Sequence, residues 1–547
     1  MKTSKTSLHR VLSNRTIAVA VAAAAAITSN TVSAQNPPAP IPPFSMCSQN
    51  VNVLSLLPPL PGGTPNPNED GDTQFLNALI NTTESALLLK VPTASSLDLS
   101  HQMTLLGELA IYDKTLSPNE NIACATCHAP YAGFTGGTSI FNATTVAQPG
   151  GVVTGATSPA PNVRFGPRKP QSYAYAAFAP ILHYNATVGD FYGGNFWDMR
   201  ATGTRLANPA AEQAQGPPVN PVEMGNPDPA CVVWKASQGK YASLVELIGG
   251  AQSFAINWPA NVATVCATPG PPPASNPYPV QLSAQDRGTA NSTFDHLTLA
   301  IASFESSAAV SPFSSKFDAV LAGTAQFTAS EQSGYNLFNG QGKCNQCHLS
   351  GTAVNTTGLK PADLAPLFTD FTSANLGVPK NLAIPYYCES APDQYGYTAN
   401  PQGLSFLDLG VGATLSGPNN PNPLQWASLA PLYNGHFQVP TLRNVDMRPS
   451  AGFVKAYMHN GYLKSLQEVV HFYNTSQALP RCAQGSPGEK VSCWPAPENP
   501  ATVTMLIGNL GLTSQQEADI VAFLQTLTDG FVAPPATGLE RKPVRKP

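Results

Sequence analysis

Two short stretches hold the residue types that do chemistry, Cys124-Ala-Thr-Cys127-His128 and Cys344-Asn-Gln-Cys347-His348. In each, two thiols stand three positions apart beside an imidazole. That spacing lets both sulfurs reach one porphyrin edge and form thioethers, with the adjoining histidine ligating the iron. Ten cysteines and nine histidines in 547 residues would produce about 0.003 such matches by chance. A thioredoxin-like redox pair needs a βαβ frame, and a zinc site needs further Cys or His nearby; neither surrounds these stretches. The reading is two covalently bound c-type haems, held by Cys124, Cys127 and His128 and by Cys344, Cys347 and His348, with each histidine an iron ligand.

The rest of the chain must position those groups. Its length predicts two to four domains. Only 11% of residues are charged, against about a quarter in ordinary domains, and 54 Pro with 43 Gly imply long ordered loops. A net charge of −4 without a basic run gives no reason to expect a nucleic-acid partner. Lys2, Lys5, Arg10 and Arg15 precede an apolar stretch from Ile17 to Ile27, and Val32-Ser33-Ala34 fits a cleavage site. Residues 1–34 therefore read as a secretory signal peptide. The apolar run is too short to span a bilayer, so the mature protein is expected in the periplasm without a membrane span. Six cysteines remain, Cys47, Cys231, Cys266, Cys388, Cys482 and Cys493. An even remainder favours disulfides, with Cys231–Cys266 and Cys482–Cys493 the expected pairs.

Residues 35–95, rich in Pro and Asn, read as an extended N-terminal arm. An N-terminal haem domain follows over 96–320, with an irregular insertion at about 225–283. A C-terminal haem domain covers 321–547, with a second insertion at about 385–432. Leu105 to Tyr112 reads as helix, and Phe294, Leu297, Ile301 and Phe304 form one helical face. Thr328-Ala-Ser-Glu331 is a capping box for a helix running into the second motif. Ser465 and Thr513 cap two more; Ile520, Phe523, Leu524 and Leu527 are the buried stripe of the last. The prolines of Gly216-Pro-Pro-Val-Asn-Pro-Val-Glu223 predict a rigid loop. Strand-like alternation is sparse, so the fold class is mostly α: two cytochrome c-like haem domains with long loop insertions.

In this order the landmarks resemble the bacterial di-haem cytochrome c peroxidases and their relative MauG. The matching stretches include Phe196-Trp-Asp-Met-Arg200, Asn220-Pro-Val-Glu223-Met224, Ala300-Ile-Ala-Ser-Phe304, Val439-Pro-Thr-Leu-Arg-Asn-Val445 and Tyr457-Met-His-Asn-Gly461, besides both haem motifs. The resemblance implies that peroxide binds at the His128 haem and that the His348 haem transfers electrons. It puts Glu223 above the peroxide-binding haem as the acid–base group, with Gln213 and Pro217 on the same face; on its residues alone, Glu223 could equally cap a turn or pair with an arginine. It makes Trp197 the electron relay, where a packed aromatic is the alternative, and turns Arg200 toward a haem propionate. It makes Tyr473 the sixth ligand of the His348 iron. Leu466, Val469, Val470 and Tyr473 share one helical stripe and His471 falls off it; if Tyr473 merely packs, Met458 or Met447 is the ligand. Typical peroxidases of the family carry a distal histidine before the stretch matched by Lys169 to Phe178. Pro161 to Phe178 has none, and His183 lies beyond it, so the His128 iron is expected open at rest. Calcium is the further cofactor the resemblance allows. Its asparagine ligand is matched here by Tyr175 and its Thr-x-Pro backbone by Val454-Lys455-Ala456.

The expected activity is reduction of hydrogen peroxide, with a cytochrome c or cupredoxin as electron donor. The alternative is a MauG-like enzyme that oxidises Trp or Tyr residues of a partner protein. A plain electron carrier is disfavoured, because it needs no acid–base group such as Glu223, nor Gln213, over an iron.

Overall fold

The computed structural model describes residues 71–144, 164–272, 274–351 and 365–533. The expected signal peptide and Cys47 lie outside the described residues. Six helices frame the chemistry: α1 (Gly71–Leu88), α2 (Leu99–Tyr112), α3 (Ala284–Glu305), α4 (Ala329–Phe338), α5 (Leu466–Thr475) and α6 (Ser514–Gln525). Their starts are set by local chemistry. Asp98, Ser283, Thr328, Ser465 and Thr513 each accept a backbone N–H of the first turn of the helix they precede, satisfying donors the helix leaves unpaired. The strands of the described residues form two short antiparallel ladders, His183–Asn185 with Asp190–Tyr192 and Ser373–Ala374 with Phe437–Gln438.

Each half of the molecule rests on a helix crossing closed by a glycine. In the N-terminal half α2 crosses α3, and a Cβ on Gly107 would come within 1.9 Å of the Ala300 carbonyl oxygen. In the C-terminal half α4 crosses α6, and a Cβ on Gly334 would meet the Asp519 carbonyl oxygen at the same 1.9 Å. The apolar stripes follow. Phe294, Leu297, Ile301 and Phe304 are buried on α3, as are Ile520, Phe523 and Leu524 on α6 with Leu527 just beyond it. Two separate cores result, one around Leu106, Leu109 and Phe294, the other around Phe317, Phe338, Phe368 and Phe523. Each fully buried Phe or Leu adds about 1.5–3 kcal/mol relative to exposure.

Several segments differ from their sequence reading. Residues 71–88 of the expected arm are helix α1, which buries Thr73, Leu76, Ile80 and Leu87 at helical spacing. The stretch read as an irregular insertion carries the helices Pro229–Gln238, Ala242–Gly249 and Val262–Cys266. Cys231, Val233, Leu244 and Cys266 belong to the first core. Gly216–Val219 is a helical turn rather than loop, because its two prolines sit at its start, where no N–H is needed. Helix α4 ends at Phe338 and a separate turn begins at Cys344. Val411, Leu415 and Ala430, from the second expected insertion, pack with Leu182, Phe191, Met199 and Tyr433 in a small third core. Both expected disulfides, Cys231–Cys266 and Cys482–Cys493, are present.

Candidate functional site: two cavities that share Trp197

Both Cys-x-x-Cys-His stretches are built alike. Cys124–Cys127 is a single helical turn and Cys344–Gln346 a 3₁₀ turn. In each, the histidine amide donates to the carbonyl of the first cysteine, at 3.0 Å for His128 and 2.8 Å for His348. The ring nitrogens repeat the pattern. His128 Nδ1 lies 3.1 Å from the Phe134 carbonyl oxygen and His348 Nδ1 lies 2.9 Å from that of Phe368. Both phenylalanines adopt left-handed backbone, with φ of 58° and 53°, so a matching kink presents each carbonyl. A ring that donates Nδ1–H to a carbonyl keeps its Nε2 lone pair for a metal. Burial lowers both imidazoles to about 4, so they are neutral, as ligation requires. Cys124, Cys127, Cys344 and Cys347 are free of disulfides. This donor set fits haem in both places.

The first cavity, about 440 Å³, is lined by Cys124, Cys127 and His128 on one side and by Gln213, Pro217 and Glu223 among its other walls. Glu223 follows the Gly216–Val219 turn, and its Oε1 accepts from Asn220 Nδ2 at 2.6 Å. Burial raises its carboxyl above the ordinary range, opposed by Arg200 and by the Asn220 bond. Arg200 lines the cavity, held by Asp198 at 2.8 Å with its guanidinium 3.8 Å from the Phe196 ring centroid. Arg168, on the same wall, joins Asp198 and Asp408. Burial alone would raise Asp408, yet the arginine beside it draws it down to about 2. His128 is the only histidine lining this cavity among the described residues. His183 lies away from it, exposed on its strand and stacked on Tyr192.

The second cavity, about 210 Å³, holds Cys344, Cys347 and His348 together with Met458, His459 and Tyr473. Leu466, Val469 and Tyr473 of α5 line it. His471 turns away to Glu517 and to the Val491 carbonyl. Of the two alternative methionines, Met458 lines the cavity and Met447 does not. Burial, and then the nearby thiols, push the Tyr473 phenol up.

Trp197 lines both cavities, as do Lys169, Gln171 and Ser172. Its indole N–H donates to the Lys169 carbonyl at 2.9 Å, and its own carbonyl accepts from the Gln438 amide at 2.8 Å. Two further groups escaped the sequence reading. Glu305, at the end of α3, lines the first cavity, and burial lifts its carboxyl to about 8. Its signal was an acidic residue directly after the apolar stripe ending at Phe304. Lys169 is lowered by burial to about 7; nothing in its surrounding sequence marks it. The expected calcium ligands fare differently. The Tyr175 hydroxyl is committed to Asp529 at 2.8 Å and to the Phe313 amide at 2.9 Å. Among the described residues no group of three His, Cys, Asp or Glu side chains could hold a metal.

Fold and site together define a mostly helical protein with two matched centres. Residues 101–326 match the sequence profile of the family described as di-haem cytochrome c peroxidase. Methylamine utilization protein MauG of Paracoccus denitrificans (strain Pd 1222) is 29% identical over 437 residues, 78% of this chain and 88% of that protein. Cytochrome-c peroxidase IdrP1 of Denitromonas iodatirespirans is 28% identical over 212 residues, 37% of this chain and 42% of that protein. The crystal structure of the diheme peroxidase BthA from Burkholderia thailandensis E264 shares the fold, with a TM-score of 0.55 and 23% identity over 78% of this chain and 86% of that one. The chain is similar to the di-haem cytochrome c peroxidases and MauG and, like them, is an oxidoreductase; that similarity implies two haems. No helix among the described residues is long and apolar enough to cross a membrane.

Proposed function

We propose that this chain is a periplasmic peroxidase that reduces hydrogen peroxide at the His128 cavity with electrons entering through the His348 cavity. Bound haem supplies the redox-active iron, one centre taking peroxide and the other carrying electrons. Cys124 and Cys127, and Cys344 and Cys347, attach the two groups through thioethers; His128 and His348 ligate them through Nε2.

The reading rests on the difference between the cavities. Glu223 and Gln213 line the first, which has no histidine beyond His128 among the described residues, whereas Tyr473 and Met458 line the second. Glu223 takes the proton from one peroxide oxygen and returns it to the departing one, and its raised proton affinity suits both transfers. Gln213 and Pro217 orient peroxide on the same wall. Tyr473 would be a further protein ligand to a haem held in the second cavity, and Trp197, bordering both cavities, would relay electrons between the two centres. With no histidine but His128 lining the first cavity among the described residues, a haem held there would be open to peroxide at rest and would need no reductive activation. A resting ferric EPR spectrum containing only low-spin haem overturns that point. The activity is tested by steady-state peroxide consumption with a reduced cytochrome c or cupredoxin as donor; no turnover with either donor refutes it.

Tyr473 and the similarity to MauG over most of both chains favour a second reading, oxidation of Trp or Tyr residues on a partner protein. Peroxide-dependent modification of a partner, without turnover of a small donor, selects that reading.

A further inference from the structure

The wall of the second cavity includes a buried lysine, Lys455. Lys455 is 4% exposed, and its Nζ donates to the backbone carbonyls of Ala132 at 2.9 Å, Met447 at 2.9 Å and Asn444 at 3.3 Å. Three acceptors call for three N–H groups, which an ammonium has and a neutral amine lacks. No ion pair among the described residues involves Lys455. A buried charge without a counter-charge must be solvated by dipoles, and a ring of carbonyls is how proteins solvate hard metal cations.

We infer that the Lys455 ammonium stands in for calcium in this chain, a tethered cation in a carbonyl cage that ties the loop behind His128 to a wall of the His348 cavity. Lys455 is the middle residue of the segment matching the family's calcium-binding backbone, and Tyr175, at the family's asparagine position, is engaged elsewhere. The loops it joins are those that matter. Ala132 precedes Gly133 and Phe134, whose carbonyl holds His128. Gly133 has φ +73°, and a Cβ there would meet the Asn444 carbonyl oxygen at 2.8 Å, so the two loops approach as closely as glycine permits. Asn444, Lys455 and Ala456 all line the His348 cavity. Asn444 is braced by Asp529, its Nδ2 donating to Oδ2 at 2.9 Å and its Oδ1 accepting the Asp529 amide at 2.8 Å; Asp529 Oδ2 also accepts the Tyr175 hydroxyl. The Tyr175 hydroxyl and the Val454 carbonyl, at the positions matched to the metal's ligands, are thus committed to Asp529 and to Asn142 Nδ2. Burial, and then Lys169, draws the Lys455 proton affinity down, and the three carbonyls hold the proton against them. Lys455 is a positioning residue, acting through the His128 loop rather than on a substrate.

The test uses the purified haem-loaded protein and is independent of which substrate it oxidises. Elemental analysis should find no stoichiometric calcium, and EGTA should leave the absorption and EPR spectra and both reduction potentials unchanged. A tightly held calcium ion, or a spectrum that shifts on chelation, overturns the inference without recourse to any variant. Lys455→Ala empties the cage. Its electron transfer between centres should fall by about tenfold, as for other groups that orient a metal ligand, and recover with added calcium or ethylammonium. Lys455→Met fills the space without charge and should not recover. Wild-type potentials and rates in Lys455→Ala without any added cation also overturn it.

Discussion

On the proposed mechanism, replacing Glu223 by glutamine removes the proton carrier and little else. In Glu223→Gln the new amide oxygen can still accept from Asn220 Nδ2, the 2.6 Å bond that fixes the native carboxylate, so the side chain keeps its place. General acid–base groups contribute about 10²- to 10⁴-fold, or about 3 to 5.5 kcal/mol at 1.36 kcal/mol per decade. Glu223→Gln should therefore lower kcat/KM for peroxide by that factor in a steady-state assay with a reduced cytochrome donor. The pH profile supplies a second readout. The ionised carboxylate is the form that accepts the first proton, and burial raises its affinity above the ordinary carboxylate range. Wild-type activity should fall as pH drops through that raised value, and this acid limb should vanish in the variant. Stability moves the other way. A carboxyl whose folded affinity exceeds its unfolded one loses stability as pH rises through that window; at neutral pH the amide avoids this loss, and Tm should hold or rise. A variant within about threefold of wild type, or one that keeps the acid limb, refutes the assignment.

Trp197→Phe fills most of the same space but loses the bond to the Lys169 carbonyl, a cost of about 1 kcal/mol in chemical denaturation; stopped-flow oxidation of the His348 haem by peroxide should slow, and an unchanged rate excludes the relay. If Tyr473 ligates the His348 haem as proposed, Tyr473→Met replaces an oxygen donor by a thioether, so potentiometric titration should show the His348 haem potential rising, and an unmoved potential removes Tyr473 from the iron. Gly107→Ala forces a Cβ against the Ala300 carbonyl and should cost about 3 kcal/mol or more, read as the denaturation midpoint. Gly288→Ala, on α3 with nothing within 4 Å of its Cβ, should instead gain about 0.5–1 kcal/mol.

What could be read from the sequence followed the range of the interaction. The capping boxes at Thr328 and Thr513 are set within a few residues, and the structure carries them as expected; the two Cys-x-x-Cys-His stretches are equally local and each forms a single turn. Helix α1 was missed although Thr73, Leu76, Ile80 and Leu87 keep helical spacing, because Asn and Thr dilute the apolar stripe. The helices between Pro229 and Cys266 were missed because they run only 10, 8 and 5 residues, too short for a period to emerge. Lys169 and Lys455 were invisible as site residues for another reason. Lys455 meets carbonyls from distant loops, such as that of Ala132, and a backbone oxygen leaves no mark on the side-chain alphabet; Lys169 meets the Thr135 hydroxyl and the Pro170 carbonyl, neither of which marks it in sequence.

The paired glycine crossings carry a consequence for how such a molecule can change. With a carbonyl 1.9 Å from where a methyl would sit at both Gly107 and Gly334, neither chassis can be tuned by swelling or sliding its helices. Divergence between the halves is channelled into the segments hung on them, so exchanging those segments is the practical route to re-engineering either centre.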